Sequence, residues 1–401
     1  MKYYLEQIVK DLVTKNIERY WGNFEIVAYA LFDKTNVYLF NHPEFDNVHP
    51  HSYKILKWDE QFVGTSIILY EGYPTAIVDL EMYKDYEGLY SILVHELFHG
   101  YQYIKGEKRF PDEIMGVTYP LIKENAELRC RERKTLYNAL FETNISKKKQ
   151  CLSDFITIRE KRAEVIEEYL IYENLVETVE GPAWYVEIKA YLEKSPLDNG
   201  LVLNNYGNHL IDTVASTSNI RRSCYSSGLV LCLLFDEFSP NWKESFFDTD
   251  ATIYDLIKDL NIAPRNFQIK NVEIRTETEE AFNFAVESRK EEIEEFEEQS
   301  GTRLVIEGEI TSLTFDPMNI ISFEGRLLHK NYIKVRINNK EYLIQQPVLA
   351  YCENGLKHIN KLHLYLKDQP IESGQSLTLP GIGDIKGRYT RREDSIYLLV
   401  N

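Results

Sequence analysis

Apolar positions in the first twenty residues fall at Leu5, Ile8, Val9, Leu12 and Ile17, the spacing of a helix with one buried face. The period then shortens to two. Phe24 to Phe32 and Asn36 to Phe40 predict a hairpin around Asp33-Lys34-Thr35, and Phe62 to Tyr70 with Tyr73 to Leu80 predict a second around Glu71-Gly72. From Asp85 to about Tyr103 the helical period returns, with Leu89, Ile92, Leu93 and Leu97 on one side and Gly106 and Pro111 beyond its end. Most of 120–262 reads as helices. Glu277 to Glu298 is strongly acidic and contains EEIEEFEEQ, which predicts a solvated helical connector. After Gly301 the β-branched and aromatic content rises, with turns at Asn338-Asn339, Glu353-Asn354-Gly355 and Pro380-Gly381. The expected organisation is an α+β chain: an N-terminal helix and antiparallel-rich sheet over 1–83, a helical part over 84–262, an acidic helical connector over 263–304 and an all-β module over 305–401.

Composition narrows the classes. At 401 residues, 44% hydrophobic and 27% charged, the chain has ample material for cores, so disordered and disulfide-stapled classes fail. The purest apolar run, Leu229 to Phe235, is far short of the roughly 18 residues a spanning helix needs, so no membrane partner is expected. The start, MKYYLEQIVKDLVTKN, has charges where a signal peptide needs an unbroken apolar stretch. Five cysteines at 130, 151, 224, 232 and 352 form no CxxC pair and leave an odd one, which fits a reducing compartment; the expected location is cytoplasmic. Cys224 and Cys232, eight apart in an apolar segment, read as core. Arg129, Arg131 and Arg133 alternate with acids and read as a solvated face. A net charge of −17 repels phosphate backbones, so nucleic acid is not an expected partner.

Chemistry enters at His95-Glu96-Leu97-Phe98-His99, the HExxH pattern. At 3.6 residues per turn, His99 lies about 40° around from His95 and one turn along, so both imidazoles can face one metal ion. Glu96 lies about 60° beyond His99, off the metal and beside the place of an attacking water. Two imidazoles suit Zn²⁺, and a chance HExxH is expected only about 0.02 times in a chain of this length with nine His. A catalytic zinc takes three protein ligands, so a third must exist. His209 is the only His between 100 and 328, in a polar NNYGNHL stretch, which turns attention to carboxylates. Two helical segments offer them: Lys123 to Glu127, with Glu124 and Glu127, and Glu173 to Tyr185, with Glu173, Glu177 and Glu180 at i, i+4 and i+7 on one face.

HELFHGYQ followed by E-x-x-E-G-x-A-x-Y resembles the gluzincin branch of the zinc metallopeptidases, in the subset whose third ligand is the Glu of an EGxAxY helix, as in the bacterial collagenases. The resemblance covers about 60–260 and is strongest at 95–102 and 177–185. It implies a zincin-like catalytic unit, Zn²⁺ held by His95, His99 and Glu180, and Glu96 as general base. The gap of 81 residues from His99 to Glu180 is longer than in thermolysin-like relatives, which leaves Glu127 and Glu124 as rivals. Gly181 permits close backbone approach beside Glu180. Glu177 or Glu173 would hydrogen-bond a ligand imidazole from behind. Arg221 to Gly228 is similar to the YxxG helix start after the zinc ligands in many such peptidases, which makes Tyr225 the oxyanion candidate, ahead of Arg222. Gly64 to Tyr70 stands where zincins have an edge strand that pairs with extended substrate. The expectation is therefore a zinc metallohydrolase acting on a peptide or protein substrate. Its rivals are a hydrolase of non-peptide amides and a silent scaffold whose β module binds a protein partner.

Overall fold

Two hairpins and a parallel pairing make the first layer of the protein. A computed structural model describes residues 2–45, 53–265, 271–352 and 356–400. Strands β1 (Ala28–Phe32), β2 (Asn36–Phe40), β3 (Lys54–Lys57), β4 (Ser66–Tyr70) and β5 (Tyr73–Asp79) form a five-stranded sheet in the order β3-β2-β1-β5-β4. Both expected hairpins are present, with Phe32 opposite Val37 and Tyr70 opposite Tyr73. The second turns on Glu71 and Gly72, both at positive φ, as a two-residue turn between right-twisted strands requires. The segment before Ala28 is not strand, and β3 is an addition to the sequence reading. The joint between the hairpins is parallel, β1 to β5, and no local pattern announces it.

β1 is buried at every position because both faces of this sheet are covered. Tyr29, Leu31, Ala76 and Val78 join the main core, whereas Ala30, Phe32, Leu39 and Ile77 join a smaller cluster with Phe62 and Tyr70. The main core centres on Trp21, whose ring stands edge-on at 5.0 Å to both Phe98 and Trp242. Phe98, on the helix Tyr86–Ile104, also packs edge-on against Phe24 at 5.2 Å. Asp85 caps that helix by accepting from the Gly88 backbone at 2.7 Å.

Long helices follow, as expected, at Lys123–Phe141, Ile145–Ile166, Tyr169–Lys194 and Ile220–Phe238. What holds them together corrects the sequence reading. Arg129 and Arg133 do not lie on a solvated face; they are buried, and only Arg131 is half-exposed. Arg129, Arg159 and Arg162 interlock with Glu132, Glu173 and Glu177: Arg159 reaches Glu132 at 2.6 Å and Glu177 at 2.8 Å, and Arg162 reaches Glu132 at 2.9 Å. Arg129 donates to Glu173 at 3.0 Å. The alternating charges of 129–133 face neighbouring helices that supply opposite charges at matching heights, information that a single segment does not contain. Arg133 instead donates to the backbone carbonyls of His209 and Ser223. Cys224 and Cys232 are core residues, and all five cysteines are free.

The chain separates into two compact units, 1–111 with 122–278, and 112–121 with 279–401. The second is the all-β region with one long helix. Its 14-residue strand Thr302–Phe315 pairs with His358–Leu366 along one side. Along the other side it pairs with Ile333–Ile337 and, in parallel, with Ser395–Leu399. Asn338 and Asn339 at positive φ make the expected turn, and Gly381 at positive φ makes the one at Pro380-Gly381; the turn expected at 353–355 lies outside the described residues. The acidic stretch is the helix Thr276–Glu297. It is more than a solvated connector, because Ile293 and Phe296, three apart, are buried against Leu328 and Leu349. The boundary therefore falls earlier than the sequence suggests, and residues 112–121 belong with the β unit, Val117 lying in its core. Among the described residues no helix is long and apolar enough to cross a membrane.

Candidate metal centre

The helices Tyr86–Ile104 and Tyr169–Lys194 pack together and bring three side chains to one point. His95, His99 and Glu180 offer ligand atoms that all lie within 4.8 Å of one another. The two imidazole Nε2 atoms face each other at 3.0 Å; Glu180 Oε2 is 3.3 Å from His99 Nε2 and 3.7 Å from His95 Nε2. Ligand atoms on a four-coordinate zinc, at bonds of about 2.0–2.1 Å, stand roughly 3.3 Å apart, so the three separations fit such an ion. Glu180 Oε2 is buried and, close as the imidazoles are, has no hydrogen-bond partner among the described residues. An orphaned buried carboxylate oxygen between two facing imidazole nitrogens is a donor set that wants a cation.

Each ligand is held from behind. His95 Nδ1 meets Glu187 Oε2 at 2.8 Å, and Tyr206 donates its hydroxyl to the other oxygen of Glu187 at 2.9 Å. His99 Nδ1 meets Gln102 Oε1 at 2.7 Å, and Gln102 donates to the Val179 carbonyl at 2.8 Å. Such contacts fix the tautomer that leaves Nε2 free to bind metal. Arg221 donates to Glu180 Oε1 at 3.1 Å and also to the Tyr225 hydroxyl. The Tyr225 ring lies 6.5 Å from that of His95, nearly parallel to it.

The position of Glu180 follows from a glycine crossing. A Cβ on Gly181 would meet the Gly228 backbone at 2.6 Å, and one on Gly228 would meet the Glu177 carbonyl oxygen at 2.7 Å. Only two glycines let the helices Tyr169–Lys194 and Ile220–Phe238 approach this closely, which sets Arg221 and Tyr225 beside Glu180. The close approach expected at Gly181 is present, and its partner is Gly228.

Electrostatics divides the carboxylates. Burial works to raise Glu180, but His99, His95 and Arg221 hold it well below the usual carboxylate range. Burial pushes Glu96 up, and the nearby imidazoles only partly oppose this. Burial alone would lower His95, yet Glu180 and Glu187 carry it up to about 10. Burial also raises Tyr225, which therefore keeps its proton.

Glu127 lies away from this group and bonds Arg131, Arg275 and Thr278. Glu124 is not among the converging groups either. Glu173 and Glu177 do not hydrogen-bond the imidazoles; both are spent on the buried arginines, and Ser227 also donates to Glu177 at 2.6 Å. His209 stacks edge-on against Trp184 at 5.6 Å. Sequence reasoning missed Glu187 and Gln102. The signal was there: Glu187 stands seven residues after Glu180, two turns along the same face, and Gln102 stands three after His99. No family model, curated protein or solved structure matches the chain.

Proposed function

We propose that the first unit is a zincin-like, gluzincin-type zinc metallohydrolase that cleaves peptide bonds. The observation that supports this best is the convergence of His95, His99 and Glu180 around an orphaned carboxylate oxygen, with Glu96 buried next to both imidazoles. Zinc held there would polarise a scissile carbonyl and acidify a water. Glu96, raised by burial, would accept a proton from such a water at its carboxylate and return it to the leaving amine. Tyr225 accepts from Arg221 and retains its own hydroxyl proton, which it offers to the oxygen that becomes negative. β4 is the edge of its sheet, so its outer backbone groups are open to an extended peptide that adds as another strand. Glu187 and Gln102 keep the imidazoles oriented throughout.

The test is metal content and cleavage together. Purified protein supplied with zinc should hold about one ion per chain, lost in His99→Ala and Glu180→Ala and kept in Glu127→Ala. Glu96→Gln should keep the zinc and lose cleavage of a peptide library. Peptide cleavage undiminished in Glu96→Gln would overturn the reading.

A further inference from the structure

Two consecutive arginines open the helix Ile220–Phe238, in a first turn that holds no acidic residue. A cation there opposes the helix dipole, so each arginine calls for a compensating contact. Arg221 has one: it bonds Glu180 and Tyr225. Arg222 does not. It is exposed, its guanidinium carbon lies 5.9 Å from the centre of the Tyr225 ring, and it makes no ion pair or side-chain hydrogen bond among the described residues.

That placement puts it at the site. Tyr225 links the two: its ring centre lies 5.9 Å from the Arg222 guanidinium carbon and 6.5 Å from the His95 ring. Burial raises the Tyr83 hydroxyl, on the link from β5 to the helix Tyr86–Ile104, and the charges of Glu96, Glu187 and Arg222 act on it more weakly. His209 feels both Arg222 and Glu187. The site carries Glu96, Glu180 and Glu187 in a chain of net charge −17, and of its two arginines Arg221 is committed to Glu180. The guanidinium of Arg222, beside the Tyr225 ring and without a carboxylate partner among the described residues, is the cation left to meet an anionic group. Its planar fork suits a carboxylate in two parallel hydrogen bonds.

We propose that Arg222 reads a carboxylate on the substrate, so that this site selects peptides bearing a free C-terminus or an acidic side chain close to the scissile bond. An extended chain covers about 3.3–3.6 Å per residue, which places that carboxylate within about three residues of the carbonyl presented to the metal. Arg222 is here a specificity residue: it touches substrate away from the reacting atoms. The inference rests on the peptidase reading, and its test is kept separate from turnover.

The experiment uses the full chain carrying Glu96→Gln, loaded with zinc, with binding followed by NMR. The probes are acetylated tetra-alanine as free acid and as C-terminal amide, and amidated versions with one Glu or one Gln at each position in turn. The expected result is a preference of about tenfold or more for one carboxylate over its amide, the size of a charge-assisted hydrogen bond. The terminal and side-chain arms identify the source. Arg222→Gln should bring the preference within about twofold, and Arg222→Lys should restore part of it. No preference in either arm, or one that survives Arg222→Gln, overturns the proposal. Cleavage of a peptide library by the wild-type zinc protein judges the peptidase reading independently. A carboxylate preference without any cleavage would remove that reading and leave Arg222 as an anion-reading residue.

Discussion

Glu187 shows how much of the candidate metal centre rests on a side chain outside its ligand set. Its carboxylate takes His95 Nδ1 on one oxygen and is held in place by the Tyr206 hydroxyl on the other, so the imidazole can neither rotate nor change tautomer without losing that fixed partner. Glu187→Ala should weaken zinc binding by about ten- to hundredfold in chelator competition, with little change in thermal unfolding of the metal-free protein. Equal zinc affinity in variant and wild type would show the contact to be incidental. Glu177 stands one turn from Glu180 on the same helix, yet its charge is committed to Arg159 and to the Ser227 hydroxyl. Identical residue types on one helical face thus split into histidine-facing and arginine-facing sets, according to what lies opposite.

Helices 169–194 and 220–238 can meet at the metal centre only because both present glycine at the crossing. Gly228→Ala gains up to about 1 kcal/mol of helix propensity but puts a methyl 2.7 Å from the Glu177 carbonyl oxygen, and overpacking of that kind costs about 1–3 kcal/mol. The clash wins, so the variant should melt earlier and hold zinc less tightly, because the shift moves Arg221 and Tyr225 away from Glu180. A variant that is more stable and still binds zinc would refute the crossing argument. The buried ion network braces the same helix. Arg162→Met takes one of the arginines from each of Glu132 and Glu173 and leaves the buried network one cation short, a loss of about 3–5 kcal/mol. Calorimetry should register a fall of roughly 6–15 °C in Tm.

Buried histidines make the β unit sensitive to acid. In the β unit His329 and His363 are buried; neither ring nitrogen of His329 has a hydrogen-bond partner among the described residues, and Nδ1 of His363 also lacks one. Burial pushes both down to about 4, with Arg303 and Lys361 adding to the effect on His363. An unfolded histidine protonates near pH 6.5. Between those values the unfolded chain binds more protons than the folded one, so the stability these residues allow is complete above about pH 6.5 and is lost as pH falls toward 4. All four tryptophans, Trp21, Trp58, Trp184 and Trp242, lie in the first unit, so their fluorescence reports that unit alone. Hydrogen exchange at pH 4.5 should find the strands of 302–399 opening faster than at pH 7, and His329→Leu should remove part of the difference. Acid-insensitive exchange would contradict this.

The sequence by itself determined the elements whose rules are local. The hairpins at 33–35 and 71–72, the Asp85 cap, the run of long helices and the β-rich end follow from hydrophobic period and turn chemistry, which neighbours along the chain decide. His95, Glu96 and His99 were legible for the same reason, since the helix itself sets the angle between them. Tertiary structure decided whatever depends on a partner far along the chain. The parallel pairing of β1 with β5, the burial of Arg129, the choice of Glu180 over Glu127 and the pairing of Gly181 with Gly228 each join segments dozens of residues apart. Charge and size at one position do not say which distant segment will stand opposite; only the packed arrangement of sheet and helices supplies it.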